Sequence, residues 1–512
     1  MDKYICIIKK LYEDYKTNEY AINKINSIIE NIPNKIEEQI ILKNKREERF
    51  EKLIDESDIF IRYFINNFQF YYIPITELFI EYNNNNNNYV RINEDNIWSI
   101  VLQHINKNNN IIPWKYKIKT NIIKRIKDCY LLNENNIPNT ETIQQTLKLF
   151  MDIFSITKEE TKYVLTIIGD NLLKKNTHLT YFIPLNCKKI FQFISDYAFF
   201  YLKYSRNPID TFKYKYHYHE LSNCRLINIH NSFQKYEHKH NIKNNILNII
   251  CVATHYSHRF INADHFITEI CNNNELKRYS LYLKNNNIQT IISNFKSEYL
   301  QEKDDSDTIT LNFSDMNYLW KEYLNEKGIP ILIYSTELID KLNLPYNNNT
   351  KFFNHIISNK IGYVKHFNTF WNLYIDEDDT ESDFEINELT TLYVQWLKEN
   401  NKNNTHFNID ENKIIAILNH FYNNIEIFDN KYLQGIKCKL WNKKNDIQTF
   451  IKSQNFIYPT SIHQLYHLYC QNNHKLNVNK QYFTTFLYEW IVPCHINQDI
   501  IDPLFWENIQ DA

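Results

Sequence analysis

With only four glycines in 512 residues, Gly169, Gly328, Gly362 and Gly435, this chain is barred from the folds that cradle phosphate on glycine turns. No two of them lie close together, so neither a P-loop nor a GxGxxG turn can be built, and GxSxG is excluded in the same way. Nucleotide-driven motors and dinucleotide-binding enzymes are thereby set aside. What remains must be built from helices and short strands with other residues at the turns. The length admits about three domains. The apolar content of 43%, with 32 Phe and 38 Tyr, supplies large cores. The skew toward Asn, Ile, Lys, Tyr and Phe follows codons rich in A and T, and the run Asn83 to Asn88 reads as a solvated loop expanded by the same bias.

A net charge of −2 gives no overall basic field, so any contact with nucleic acid must come from local patches. The nine cysteines are scattered, odd in number and without a CxxC pair, which fits a reducing compartment. The opening MDKYICIIKKLYEDY carries charge too early for a signal peptide, and no apolar run nears the roughly 20 residues of a spanning helix. A cytosolic location without a membrane partner is expected.

The pattern predicts a mainly α protein with small β elements (α+β), in several domains. Residues 1–58 read as a helical arm, with apolar positions three and four apart (Ile5, Ile8, Leu11, Tyr12, then Ile22, Ile25, Ile28, Ile29) and a break at Pro33. The arm packs either within the chain or as a dimerisation element. An aromatic-rich domain with a basic strip is expected over 59–135 and a mixed helical and strand region over 136–375. In the latter, the run Tyr163 to Ile168 ends at Gly169 as a helix cap or strand end would. The acidic stretches Asp304 to Thr308 and Asp376 to Glu388 are candidate boundaries.

Residues 384–445 predict a winged-helix-like module. Leu389, Leu392, Tyr393, Trp396 and Leu397 share one helical face, and a second helix carries Ile414, Ile415, Leu418 and Phe421 after an Asp410 cap. A hairpin should follow, Ile425 to Phe428 and Tyr432 to Leu440, turning at Asp429-Asn430. Lys431, Lys437, Lys439, Lys443 and Lys444 on its second strand and exit are candidate phosphate contacts. A related helical pair recurs about 70 residues later, within 446–512, with Leu465, Tyr466, Tyr469, Phe483, Leu487 and Trp490 in matching places. Its second helix puts Lys480, Gln481, Thr484, Thr485 and Tyr488 on a polar face suited to a groove.

The strongest basic strip is WKYKIKTNIIKRIKDC. Lys115, Lys117 and Lys119 alternate, Lys124, Arg125 and Lys127 follow on a helix, and Trp114 and Tyr116 are interleaved, as single-strand binding through stacking and phosphate contact requires. A surface helix with a charged face is the competing account. Eight histidines (His217, His219, His230, His238, His240, His255, His258, His265) fall with Cys224, Cys251 and Cys271 in one segment, but their spacing matches no standard zinc finger and HEXXH is absent. Asp376 and Asp378 alternate as two-metal sites require, but Glu377 between them favours an acidic linker. No metal or cofactor is assigned.

The stretches WKYKIKTNIIKRIK, TKYVLTIIGDNLLKKN and CVATHYSHRF, with the later LYxxW and NVNKQYF blocks, resemble an uncharacterised protein family of giant nucleocytoplasmic large DNA viruses. Residues 384 to 500 are similar in pattern to the winged-helix tail of poxvirus-type primase-helicases, without their Walker motifs. The resemblance implies a viral protein of the host cytoplasm, in the viral factory or packaged in virions, with DNA and other viral proteins as partners. The reading that leads is non-catalytic nucleic-acid binding in viral replication or transcription. A structural or protein-interaction role comes second and a metal-dependent nucleic-acid enzyme third.

Overall fold

The computed structural model describes residues 2–229, 236–302, 310–377, 384–400, 409–472, 476–492 and 495–510. The fold is mainly helical with small sheets. The chain divides into two compact units, Met1–Asn287 and Ile288–Ala512.

The first unit opens with α1 (Asp2–Asp14) and α2 (Glu19–Asn67). The turn between them is closed by Asn18, whose Oδ1 accepts from the Ala21 amide at 3.0 Å. The α2 helix does not break at Pro33. One proline removes a single backbone donor, and a 49-residue ladder of four-residue bonds carries past it. Three strands follow as an antiparallel meander, β1 (Phe70–Ile73), β2 (Leu78–Asn83) and β3 (Asn88–Ile92). The asparagine run is the β2–β3 turn. Asn83 Oδ1 accepts from the Asn85 amide at 2.9 Å, and Asn87 takes a left-handed φ of 52° that asparagine tolerates. With α3 (Glu94–Ile105) and α4 (Lys115–Lys127), the meander and the end of α2 enclose a core of Ile61, Phe64, Phe79, Ile97, Ile118 and Ile122.

A larger core lies among α5 (Thr140–Phe154), α6 (Lys158–Leu173), α7 (Lys188–Leu202) and α8 (Tyr236–Arg259). Beside them is a parallel sheet in which β4 (Thr180–Phe182) lies between β5 (Phe212–Lys213) and β6 (Cys224–Leu226). The α6 helix starts with a capping box, Thr157 with Glu160, and is buried from Tyr163 to Leu172. Gly169 is therefore no terminus. It is where α6 crosses α8: a Cβ there would lie 2.0 Å from the Ala253 carbonyl oxygen and 2.8 Å from Ser257 Cβ.

Next to it Asp170 accepts from Ser257 Oγ at 2.5 Å and from the Ala263 amide at 2.7 Å. Lys175 Nζ donates to the carbonyls of Ser257 (3.1 Å) and Ile261 (3.0 Å). Arg225 of β6, itself buried, grips Asp264 through Nε and Nη2 at 2.6 and 2.8 Å.

The second unit contains one topology three times. Each repeat is a helix, a short strand, two helices and a hairpin, and its three strands pair antiparallel in the order first, third, second. The leading helices are Ile288–Tyr299, Gly362–Tyr374 and Lys443–Lys452. The first strands begin at Thr310, Phe384 and Thr460, a period of about 75 residues. The helical pairs are Phe313–Glu326 with Ser335–Leu342, Ile386–Glu399 with Glu411–Phe421, and Ile462–Asn472 with Lys480–Trp490. Two hairpins turn on paired left-handed residues, Asp429-Asn430 and Gln498-Asp499. Of the acidic stretch at 376–388, residues 378–383 lie outside the described residues, and the elements on either side of them belong to the second repeat. Across it, Phe370 of the leading helix packs on Tyr393 and Trp396.

Two outcomes follow for the first unit. Gly169→Ala should destabilise it by about 3 kcal/mol, because the added methyl meets backbone and both helices must part; a urea midpoint unchanged from wild type would contradict this. Burial pushes the Asp170 carboxyl from 3.8 up to about 6, so the folded state holds its proton more tightly than the unfolded chain. The stability this contributes is complete below pH 4 and is lost as pH rises through 6. In Asp170→Asn, urea midpoints measured between pH 4 and 7 should lose that decline.

Candidate nucleic-acid interface

The basic strip is a single helix. The alternating Lys115, Lys117 and Lys119 lie on α4 together with Lys124, Arg125 and Lys127. The reason is the isoleucines. Ile118, Ile122, Ile123 and Ile126 fall on one helical face and are all buried, which fixes the helix and turns the rest outward. Lys117, Lys124, Arg125 and Lys127 are exposed, whereas Lys115 and Lys119 are half-buried at the margin. Lys124, Arg125 and Lys127 occupy the last turn, where cations also complement the helix dipole.

The aromatic residues of the strip are differently placed. Trp114 is covered on one side by the Lys117 ammonium, 4.0 Å from its ring, and meets Phe50 of α2 edge-on at 5.3 Å. Lys119 lies 5.0 Å over Trp98 and Lys127 5.6 Å over Tyr72. Tyr116 is 69% exposed and presents a ring to solvent. The strip is thus a cationic surface with one exposed ring rather than a row of stacking platforms. The Phe50 contact also brings alongside a stretch of α2 of mixed charge, in which the exposed Lys43, Lys45, Arg46, Arg49 and Lys52 alternate with Glu47, Glu48 and Glu51 and Lys43 pairs with Glu47.

The C-terminal lysines do not form the wing expected of them. The hairpin strand ends at Leu433, and Ile436–Cys438 pairs instead with Ile375–Glu377. Each lysine meets carboxylate or is drawn inward. Lys431 Nζ lies 3.3 Å from Glu385, and Lys439 lies 2.9 Å from Asp376, the residue considered for a metal. Lys437 faces Asp376 in the strand register. Lys443 is 5% exposed, 2.6 Å from the equally buried Glu388, and so is lost as a phosphate contact. Glu388 also accepts from the Glu385 amide at 2.8 Å, closing the cap of its helix, and burial still raises its carboxyl. Lys444 is half-buried beside it.

The third helices of the repeats differ in what they expose. Lys480, Gln481, Thr485 and Tyr488 of the last are exposed and Thr484 half-buried, on the polar face expected. On Glu411–Phe421 the corresponding Glu411, Asn412, Ala416 and Asn419 are exposed as well, but the end of the helix meets the first repeat. His420 contacts the Ser314 carbonyl through Nε2 at 2.9 Å and Lys321 through Nδ1 at 3.2 Å, and burial lowers its pKa. Between these repeats lies a cavity of ≈ 600 Å³ whose walls include Tyr299, Glu322, Lys360, Tyr363 and Lys413. Tyr363 donates to Glu322 at 2.6 Å there.

Asp378 and His230 lie outside the described residues. Among the described residues, no group of three or more His, Cys, Asp or Glu comes together to hold a metal, and no helix is long and apolar enough to cross a membrane. Comparison with protein-family models, curated proteins and solved structures finds no match to this chain.

Removing one partner of the buried pair strands the other. Lys443→Ala should destabilise the second unit by roughly 3–5 kcal/mol, against a change within about 0.5 kcal/mol for Lys444→Ala. Equal thermal shifts for the two variants would contradict the geometry.

Proposed function

We propose that this protein is a non-catalytic nucleic-acid-binding accessory factor whose phosphate-contacting surface is the outer face of α4. The observation that carries this reading is the charge division between the units. Residues 1–287 hold 39 Lys and Arg against 31 Asp and Glu, a net of +8, while residues 288–512 hold 19 against 29, a net of −10. Phosphate is drawn to the first unit and repelled by the second. This moves the proposed interface from the C-terminal hairpin, where the lysines are answered by carboxylates, to α4.

We read the three repeats of the second unit as winged-helix-like modules. The order helix, strand, helix, helix, hairpin supports this, as does the strand order in each sheet. Such modules also serve as protein-docking elements, and the acid excess of the second unit favours that use here over groove insertion. Taken with the resemblance to giant-virus proteins, the reading places the chain in the host cytoplasm, among replication or transcription proteins of the viral factory or packaged in virions.

The test is salt-dependent binding of the full chain to labelled single- and double-stranded oligonucleotides. Converting Lys117, Lys124, Arg125 and Lys127 to Gln should lower the slope of log K against log salt by about 3, from four lost contacts at ~0.7–0.9 each. Converting Lys431, Lys437 and Lys439 to Gln should leave the slope unchanged. Undetectable binding at low salt, or a slope indifferent to the first set, would remove the reading.

A further inference from the structure

The arm that opens the first unit is built for something outside its own fold. Among the described residues, no side chain before Ser57 is buried, although this segment is a helical pair of strong amphipathic pattern. The pair is antiparallel: the chain reverses between Tyr15 and Asn18, and Tyr12 of α1 donates its hydroxyl to Asn26 Oδ1 of α2. On α2, Ile22, Ile25, Ile29, Ile32 and Ile36 follow one another at alternating steps of three and four, the spacing of a coiled-coil seam. The Asn26 side of that stripe is covered by α1. The other side, where Ile28, Ile32, Ile36 and Ile40 lie, stays open and forms a shallow groove with Lys35 and Gln39. On α1, Tyr4, Ile7, Ile8 and Leu11 likewise remain exposed.

Two helices in one layer cannot bury an apolar face; that takes a second layer. These eight side chains, each roughly half-exposed, leave on the order of 800 Å² of apolar surface per copy, the share one partner contributes to a standard stable interface and above the patch usual for a monomer. The charge pattern selects the occupant. Residues 2–42 carry six Lys and seven Asp or Glu, intermixed, so two copies meet without net repulsion. A lipid surface would call for a polar face rich in Lys and Arg alone. An isologous contact, in which one patch is met by itself, suits a near-neutral amphipathic hairpin.

We propose that the N-terminal helical hairpin is a self-association element, through which two copies of this chain close their apolar faces into a four-helix bundle. The arrangement joins two antiparallel pairs along the Ile32–Ile36–Ile40 row, as bundles of short-looped helices do. It is independent of the proposal for α4, whose solvent face lies beyond the residues used here.

Sedimentation equilibrium of the full chain at micromolar concentrations should give twice the 62.4 kDa chain mass. Ile32→Glu with Ile36→Glu should weaken association at least 100-fold and leave the thermal melt of the diluted protein unchanged, since neither side chain belongs to a core. Glu48→Gln, outside the open stripe, should associate like wild type. A monomeric wild type at tens of micromolar, or a dimer that survives the double substitution, overturns the proposal. So does a monomeric chain that binds vesicles of anionic phospholipid through the same isoleucines.

Discussion

The close approach of α6 to α8 is the contact on which the first unit is organised. Where Gly169 faces Ala253 the two backbones nearly touch, a distance open only to a residue without a side chain. One turn of polar chemistry then secures the crossing. Asp170 binds the last turns of α8 and the chain beyond it, and Lys175 binds the same segment from the other side. With the crossing set, Asn248 of α8 accepts from the Tyr89 amide at 2.9 Å and so anchors the β2–β3 hairpin. That hairpin shares the smaller core with α4, so the basic surface is positioned, through two packed layers, by a glycine far from it in sequence.

The second unit adds a buried ion pair to its apolar packing. Glu388 lies on the second repeat and Lys443 on the leading helix of the third, 55 residues apart. Asn479 of the third repeat adds a bond to Glu385 at 2.8 Å. A buried ion pair of this kind contributes little over an apolar replacement but penalises any mispairing heavily. It therefore acts to select which repeat sits beside which, in a unit whose modules share one topology.

Helical spacing was legible where it was long and regular. Leu389, Leu392, Tyr393 and Trp396 were placed on one face and are buried, as are Leu465, Tyr469, Phe483 and Leu487. The first repeat is hard to read because its third helix has only eight residues, against eleven in the other two, too short for a helical period to show. The strip at 115–127 is legible as basic, but the covering of Trp114 is not, since Phe50, which engages it, is 64 positions away in sequence. The fate of Lys443 was illegible for the same reason: burial was decided by a carboxylate on a different repeat. Local pattern reports the face a residue takes, while long-range pairing decides whether a charge on that face reaches solvent.

The scarcity of glycine has a consequence at the ends of the elements. Among the described residues, fifteen other than glycine adopt positive φ, and only some are the asparagines and aspartates that bear it easily. Ile261, at φ 70°, is the most costly type, a β-branched side chain in a left-handed turn. It sits where Lys175 clasps its carbonyl and Asp170 holds the amide two residues on, so the hub of the first unit also restrains a turn that would otherwise relax. A chain that seldom spells glycine thus carries unrelieved backbone strain at many turns. Single replacements by glycine there would be unusually rich in stabilising outcomes, leaving this fold with broad room for mutational improvement.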